Sequence, residues 1–325
     1  MIDKQTLFIL GAGASRAYGY PTGNQLRKII IEDFADYYQK YVLDHEKSDD
    51  VDFEIEDIKN FSVKFDKSRS EMIDYFIAKN RTGSSKHLGK LAITLSIIDA
   101  EIESAKKSCI SHDEDDWFPY LFQKMTSNIL SYDRVTEIVN NKVSFITFNY
   151  DRSVEHFFSE AIKYNYETDE ATVVKLINQL KIIHVFGRLP LLTVECNDSK
   201  KIRSAYGTTP KKSYIVKAHN SIKTLHERQE LDKQFIADEI KKADRIFILG
   251  FGFADENLSL LNFRNNIIKY VEVYATSYLM SEKKIQSLTN TLLPGQFNLE
   301  HGGIGLIPKP FIANTRCRKL LEDYL

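Results

Sequence analysis

The sequence is poor in cysteine, proline and glycine, and each shortage excludes a class of protein. Its 325 residues include 3 cysteines, 7 prolines and 14 glycines. The cysteines, Cys109, Cys196 and Cys317, are isolated, which argues against a zinc ribbon or a disulfide scaffold and is typical of a reducing, cytoplasmic compartment. So few prolines and glycines, together with 43% hydrophobic residues, exclude a mostly disordered chain.

The sequence also lacks net charge and long apolar runs. Lysine and arginine total 44 against 45 aspartates and glutamates, so the formal net charge is -1 and gives no general reason to bind nucleic acid or an anionic membrane. No apolar run approaches the roughly 18 residues of a membrane span. Because Asp3 interrupts the start of the chain, we expect no signal peptide there. We therefore expect no membrane and no direct nucleic-acid partner.

Short apolar segments alternate with segments of helical periodicity along much of the chain. This alternation predicts an α/β fold, a Rossmann-like doubly wound parallel sheet with helices on both faces. The strands are expected at residues 7–10, 143–148, 181–186, 245–249 and 271–275, and helices at 24–42, 153–164 and 221–242. Residues 44–140 show helical periodicity near 71–79, 88–107 and 117–130, joined by acidic links. We expect one α/β domain, residues 1–43 and 141–325, with a large helical insert at 44–140.

A glycine turn directly follows the first strand. The run Gly11-Ala12-Gly13-Ala14-Ser15 allows a backbone to approach a phosphate closely, and free N–H groups there attract anions. A strand-to-helix turn without a ligand is the alternative interpretation. A dehydrogenase is disfavoured, because the stretch that should hold the second strand and its acidic residue is helical. No P-loop lysine pattern is present either.

Three further motifs place polar residues or glycines where a strand ends, the edge at which parallel sheets bind ligands. Asn149 and Asp151 follow the second strand, although Asp151 is also well suited to cap the next helix. His184 ends the third strand and is a candidate base, with a purely structural histidine as the alternative. A turn at Gly250-Phe251-Gly252 follows the fourth, and a plain tight turn is its alternative. His219 and Tyr206 are weaker candidates.

In this order, the motifs resemble those of the sirtuin superfamily. Sirtuins carry Gly-Ala-Gly-x-Ser followed by Gly-x-Pro, which Gly11–Ser15 and the run from Gly19 to Thr22 match. They also carry Asn-x-Asp and a catalytic histidine close to a glycine, as in 149–151 and 184–187. The zinc cysteines of protein deacylases are absent, Tyr150 replaces the usual isoleucine, and the insert at 44–140 has no counterpart in a classical sirtuin. The pattern therefore looks like the bacterial sirtuin-like branch that hydrolyses NAD in antiphage defence.

The resemblance implies an NAD hydrolase that cleaves the nicotinamide–ribose bond and needs no metal. Asn149 would orient the ribose or the attacking water, and His184 would accept a proton. The residues implied in NAD binding are Gly11, Ala12, Gly13, Ser15, Thr22, Asp151, Gly250, Phe251 and Gly252. Because uncontrolled NAD loss is toxic, the resemblance also implies control by oligomerisation or by a second defence protein, such as an ATPase, an Argonaute or another sensor. An NAD-dependent protein deacylase and a non-enzymatic module that senses NAD or ADP-ribose are the alternatives.

Overall fold

The computed structural model describes residues 1–43, 51–80, 83–106, 114–196, 201–224, 227, 230–292, 296–298, 304–306 and 309–325. Its strands are β1 (Thr6–Leu10), β2 (Val143–Thr147), β3 (Lys181–His184), β4 (Leu191–Leu192), β5 (Arg203–Ser204), β6 (Arg245–Leu249), β7 (Glu272–Thr276), β8 (Gln296–Asn298), β9 (Ile304–Leu306) and β10 (Phe311–Ala313). Six of them form one parallel sheet in the order β10-β7-β6-β1-β2-β3. The chain reverses its direction of travel across the sheet between β1 and β6. The predicted Rossmann-like α/β fold is confirmed.

Fourteen α-helices lie in the described residues. They are α1 (Gly23–Glu32), α2 (Phe34–Tyr38), α3 (Ile55–Lys67), α4 (Ile73–Lys79), α5 (Gly83–Lys106), α6 (Phe118–Thr126), α7 (Ser153–Tyr166), α8 (Glu170–Gln179), α9 (Lys212–Ser221), α10 (Glu230–Lys242), α11 (Asp255–Leu261), α12 (Phe263–Asn266), α13 (Glu282–Thr291) and α14 (Cys317–Tyr324). Shorter 3₁₀ segments cover Ala12–Tyr18, Tyr132–Asn140 and Thr193–Glu195, and a π-helical turn covers Gln39–Leu43.

The sheet is buried on both faces, which explains why its strands are apolar runs without alternation. Leu7 and Ile9 of β1 belong to one core cluster, and Phe8 and Leu10 belong to the other. On the second face, Phe8 stacks on Phe145 and on Phe247 with ring centroids 5.4 Å apart in both pairs. Successive side chains of a strand point to opposite faces, so a single five-residue strand supplies both cores.

Segment 44–140 contributes helices to both faces of the sheet. Residues of α3, α4 and α5 pack in the first core with α1 and α2, whereas α6 and Trp117 pack in the second core. The Trp117 indole also donates a buried hydrogen bond of 2.9 Å to the Ala14 carbonyl, beside the glycine turn. The inserted helices are thus continuous with the cores that cover the sheet.

The predicted helix over residues 221–242 is wrong at residues 222–224, and residues 225, 226, 228 and 229 lie outside the described residues. Helix α9 ends at Ser221, Ile222 has extended backbone, and α10 begins at Glu230. The Lys223 N–H donates to the Phe186 carbonyl over 2.8 Å, which places Lys223 beside the turn after β3. His219 therefore lies inside α9, and β3 ends at His184, not at residue 186.

Helix α3 was not expected, because the acidic residues near its start suggested a solvated link. Glu56 and Asp57 do occupy its first turn, where their negative charges interact favourably with the helix dipole and stabilise the helix. Ile58, Phe61 and Phe65 are buried in the core. Residues 44–50, the first part of the expected acidic link, lie outside the described residues.

Candidate functional site

The polar residues singled out in the sequence meet at the carboxyl edge of the sheet, beside the switch between β1 and β6. The Asn149 amide lies after β2 and donates to the Gly11 carbonyl over 3.0 Å and to the Ser15 hydroxyl over 2.9 Å. The His184 ring lies 3.0 Å from the Asn149 carbonyl through its Nδ1 atom. Three distant segments thereby converge on one asparagine.

The glycine turn after β1 packs directly against the turn after β6. The Gly13 N–H donates to the Gly250 carbonyl over 2.9 Å, and a Cβ at Gly11 would lie 2.6 Å from that same oxygen. Gly250 has φ of +57°, and a Cβ there would lie 2.0 Å from the Ala14 nitrogen. This close approach requires the glycines at positions 11, 13 and 250 whether or not a phosphate binds.

Asn149 is buried and has one polar atom to spare. Its side-chain nitrogen makes the two bonds above, and its backbone N–H donates to the Thr147 hydroxyl over 3.1 Å. Among the described residues the Oδ1 atom has no hydrogen-bond partner, although it is shielded from solvent. An unpaired buried acceptor costs on the order of 1–3 kcal/mol, so the position is suited to a donor supplied by a ligand.

Asp151 serves the start of helix α7. Its Oδ1 atom accepts hydrogen bonds from the backbone N–H and from the hydroxyl of Ser153, although the N-cap residue of α7 is Arg152 and not Asp151. Burial raises the pKa of Asp151, and hydrogen bonds from Ser153 and Ser15 offset part of that rise. Asp151 therefore belongs to the polar cluster around Asn149, with its Oδ1 atom engaged by the helix.

Both ring nitrogens of His184 are engaged. Besides the Asn149 carbonyl at Nδ1, the Nε2 atom lies 2.8 Å from the Glu155 carboxylate in the first turn of α7. Burial would raise the pKa of Glu155, but the nearby charges of Arg188 and His184 lower it to about 2. His184 can therefore accept a proton from another molecule only after one of these two contacts changes.

The sequence interpretation missed three charged residues beside His184. Arg188 lies 3.4 Å from the Glu155 carboxylate and forms two hydrogen bonds, of 2.6 and 2.9 Å, to Glu195. Glu155 was detectable, because it lies four residues after Asp151 and one turn into a helix that starts at this edge. Nothing local in the sequence marks Glu195, which reaches Arg188 from the 3₁₀ segment after β4.

The inserted helices contact the Asn149–Asp151 motif at two neighbouring positions. The Tyr150 hydroxyl donates to Asp74 of α4 over 2.9 Å, and the fully buried Arg152 guanidinium pairs with Glu101 of α5. Beside them, the Tyr206 hydroxyl lies within hydrogen-bond distance of Tyr20 and of Ser104, while the Tyr206 ring stacks on His156 at 3.6 Å. Tyr206, a weak candidate in the sequence, thus connects α5 to α7 beside the Asn149–Asp151 motif.

The remaining predicted residues occupy plainer positions. Thr22 begins α1 in a capping box with Gln25. Phe251 is a core side chain whose ring lies 5.0 Å from that of Phe148, and a Cβ at Gly252 would meet nothing within 4 Å. His219 is buried against His87, with ring centroids 5.3 Å apart, away from the contacts of Asn149.

A surface cleft of about 560 Å³ lies beyond the ends of β7 and β10. It is lined by Glu114, Tyr278, Asn314, Thr315, Arg316, Arg318, Lys319 and Glu322. The buried Cys317 thiol, which follows Arg316 in the sequence but does not line the cleft, lies close to the Gly250 backbone and to Thr276. Thr276 in turn accepts a hydrogen bond of 2.8 Å from the Gly250 N–H. The polar cluster around Asn149 is buried, whereas this neighbouring cleft is open.

No protein-family model matches the chain, and a search of curated proteins finds no match either. In the parts of the chain that the structure describes, no helix is long and apolar enough to cross a membrane. The same residues contain no group of three or more His, Cys, Asp or Glu side chains placed to hold a metal ion.

Proposed function

We propose that the chain is an NAD hydrolase that releases nicotinamide and ADP-ribose, and that it acts as a controlled NAD-depleting effector of antiviral defence in the cytoplasm. The observation that carries the proposal is the position of Asn149. Its buried, unpartnered Oδ1 atom lies between the glycine turn after β1 and His184, at the carboxyl edge where doubly wound sheets bind dinucleotides.

The chemistry needs an acceptor and a base around the ribose carbon. Water attacks the C1′ atom, the C1′–N bond breaks, and its electron pair neutralises the pyridinium nitrogen, so nicotinamide leaves without protonation. The transition state resembles an oxocarbenium ion. The Asn149 Oδ1 atom would accept a hydrogen bond from a ribose hydroxyl or from the water. His184 would take the proton released by the water, after its contact with the Asn149 carbonyl is broken.

The other half of the dinucleotide would lie in the open cleft beyond β7 and β10. Its Arg316, Arg318 and Lys319 pair with Glu114, Glu322 and Asp323, and the Arg316 guanidinium lies 5.7 Å from the centre of the Tyr278 ring, so a pyrophosphate would have to replace these carboxylates as their partner. Burial of Asn149 and His184 means that the nicotinamide end enters only when the loops around it open. Such a closed resting site fits control by a partner protein or by oligomerisation.

A non-enzymatic module that senses NAD or ADP-ribose is the second candidate. The observation that favours it is that both His184 nitrogens are engaged, which leaves no free base in the resting site. A protein deacylase is the third candidate, and it predicts NAD consumption only in the presence of an acyl-lysine peptide.

The test is incubation with NAD, with nicotinamide release followed by chromatography and NAD binding followed by the shift in melting temperature. We expect release by the wild type and a fall of about 10²–10⁴-fold in Asn149→Ala and His184→Ala, which lose ribose orientation and base assistance. Asn165→Ala is the matched control, because this exposed asparagine lies on α7 away from the site and its amide bonds only the Ala161 carbonyl among the described residues.

The outcomes separate the candidates. Because Asn149 also bonds Gly11 and Ser15, its variant must be shown to be folded by its melting temperature before its activity is interpreted. Binding of NAD without release, alone and with candidate partner proteins, would favour the sensing module. Neither release nor binding, or release by His184→Ala at the wild-type rate, would contradict the proposed hydrolase.

A further inference from the structure

Four charged or polar side chains form a buried chain beside the candidate site. In order of contact they are His184, Glu155, Arg188 and Glu195, with exposed side-chain fractions of 7%, 4%, 21% and 6%. Glu195 is further fixed by the Leu192 N–H, which donates to it over 2.7 Å. This series of contacts therefore ends at a backbone group on each side, the Asn149 carbonyl and the Leu192 N–H.

The hydrogen-bond partners of His184 determine where its protons lie. A backbone carbonyl and an ionised carboxylate can only accept hydrogen bonds. Nδ1 faces the carbonyl of Asn149 and Nε2 faces the carboxylate of Glu155, so both contacts are satisfied only when both nitrogens carry protons. The carboxylate contact therefore favours a proton on Nε2, and a proton on Nδ1 would face the Asn149 carbonyl.

Charge balance in the cluster agrees with this. Glu155 and Glu195 carry two negative charges, and Arg188 supplies one positive charge between them. Because a buried uncompensated charge is costly, a proton held on Nε2 against the Glu155 carboxylate stabilises this excess of negative charge. Asp151, whose pKa is raised by burial, is a further titratable group that interacts electrostatically with the ring.

We propose that Glu155 is a positioning residue that fixes the Nε2–H form of His184, leaves Nδ1 as its proton-accepting nitrogen, and is itself paired with Arg188, which Glu195 holds in place. This rests on the proposed function. In hydrolysis, the Nδ1 proton first leaves to solvent as the Asn149 contact opens. Water then forms its bond to C1′ and gives its proton to Nδ1, while the electron pair of the broken C1′–N bond goes to nicotinamide. The carboxylate stabilises the imidazolium that results, as in other carboxylate–histidine pairs.

The kinetic test compares Glu155→Gln and Glu155→Asp with the wild type. Glutamine removes the charge at constant size, so kcat for nicotinamide release should fall by between about 10-fold and 10⁴-fold, with little change in KM for NAD. The rise of activity with pH should move to lower pH, because the imidazolium loses its stabilising carboxylate. Aspartate keeps the charge and should restore part of both. Glu160→Gln, more than one turn further along α7, is the matched control and should match the wild type.

A second measurement needs no activity and no variant at Glu155. Nitrogen-15 NMR of histidine-labelled, unliganded wild-type protein, with His184 assigned by His184→Gln, should show a proton on its Nε2 atom. An unprotonated Nε2 atom would overturn the inference, as would a Glu155→Gln enzyme with wild-type kcat and pH profile. If the wild type binds and hydrolyses no NAD while Nε2 is protonated, the proposed function fails and the pairing of Glu155 with His184 stands.

Discussion

At the scale of single residues, Asn149 is specified by its neighbours more tightly than its motif suggests. Its Nδ2 group donates to a carbonyl and to a hydroxyl, so a carboxylate at the same position would place a second acceptor against the Gly11 carbonyl. Only an amide both satisfies these neighbours and keeps an acceptor for a ligand. The structural and the functional demands on this residue therefore select the same side chain.

His156 yields a prediction about stability and pH. Burial and the charge of Arg152 lower the pKa of His156 from its ordinary 6.5 to about 4. Between these values the unfolded chain binds a proton that the folded chain does not, so stability is fully present above pH 6.5 and falls as the pH is lowered toward 4. The loss is on the order of 3 kcal/mol. His156→Phe keeps the ring stacked on Tyr206 and should remove this dependence, as measured by melting temperature against pH.

The exposed Asn165, further along α7, provides the control for that experiment. Asn165→Ala should leave the pH dependence of the melting temperature as it is in the wild type. Glu155, with its pKa lowered to about 2, begins to lose its contribution only below its ordinary 4.5, and so acts in a more acidic interval. An unchanged slope between pH 6.5 and 4.5 in His156→Phe would show that His156 is not the titrating group.

At the scale of elements, the junction of the turns after β1 and β6 is the least tolerant part of the sheet edge. Gly250→Ala forces a side chain into a positive φ and within 2.0 Å of the Ala14 nitrogen, so we expect a loss of at least about 2 kcal/mol in the free energy of unfolding. Gly252→Ala, with nothing within 4 Å, should change it by less than about 0.5 kcal/mol. Denaturant unfolding of the two variants measures both changes, and equal losses in the free energy of unfolding would contradict this account of the turns.

Five of the six strands of the main sheet were predictable from sequence, whereas β10, the short strands outside that sheet and several connections were not. Apolar runs ended by a glycine or a polar residue mark β1, β2 and β6, because a strand buried on both faces has no other composition open to it. The separation of α9 from α10 depends on a backbone bond between Lys223 and Phe186, which is a tertiary contact without a local pattern. The acidic residues near the start of α3 suggested a solvated link, because the buried side of this helix can be recognised only when the helices that pack against it are known.

Asn149 and His184 of the candidate site were predicted from the sequence, but their contacts and the three charged residues beside His184 were not. Asn149 and His184 each follow a strand, so a common edge was implied by topology. The contact of the His184 Nε2 atom with a carboxylate depends on how α7 packs against the sheet. The hydrogen bond from the Gly13 N–H to the Gly250 carbonyl depends on β6 lying next to β1. Arg188 and Glu195 are joined across an irregular connection, whose course no periodicity records.

At the scale of the whole molecule, the segment between β1 and β2 completes both hydrophobic cores. Phe34, Tyr38 and Tyr41 of the first 43 residues are fully buried in the core that α3 and α5 share, and Phe8 packs with Trp117 on the opposite face. The first 43 residues and residues 141–325 alone would therefore expose two large apolar surfaces to water.

The corresponding prediction concerns a chain in which residues 44–140 are replaced by a short glycine–serine linker. We expect it to lose the cooperative thermal transition of the full chain and its near-ultraviolet circular dichroism, since neither face of the sheet keeps its cover. Cooperative melting of the shortened chain, with NAD binding intact, would show that the segment is an independent module.

Helix α5 is a single long helix whose C-terminal part contacts the candidate site. Its 24 residues span about 36 Å. Near its far end, Glu101 holds the Arg152 guanidinium and accepts from the Gly207 N–H, while Ser104 reaches Tyr206. A displacement of α5 along its axis would therefore strain both the buried ion pair between Glu101 and Arg152 and the hydrogen bond between Ser104 and Tyr206. The inserted segment is thus coupled by direct contacts to the carboxyl edge of the sheet, where Asp151 and Tyr206 lie.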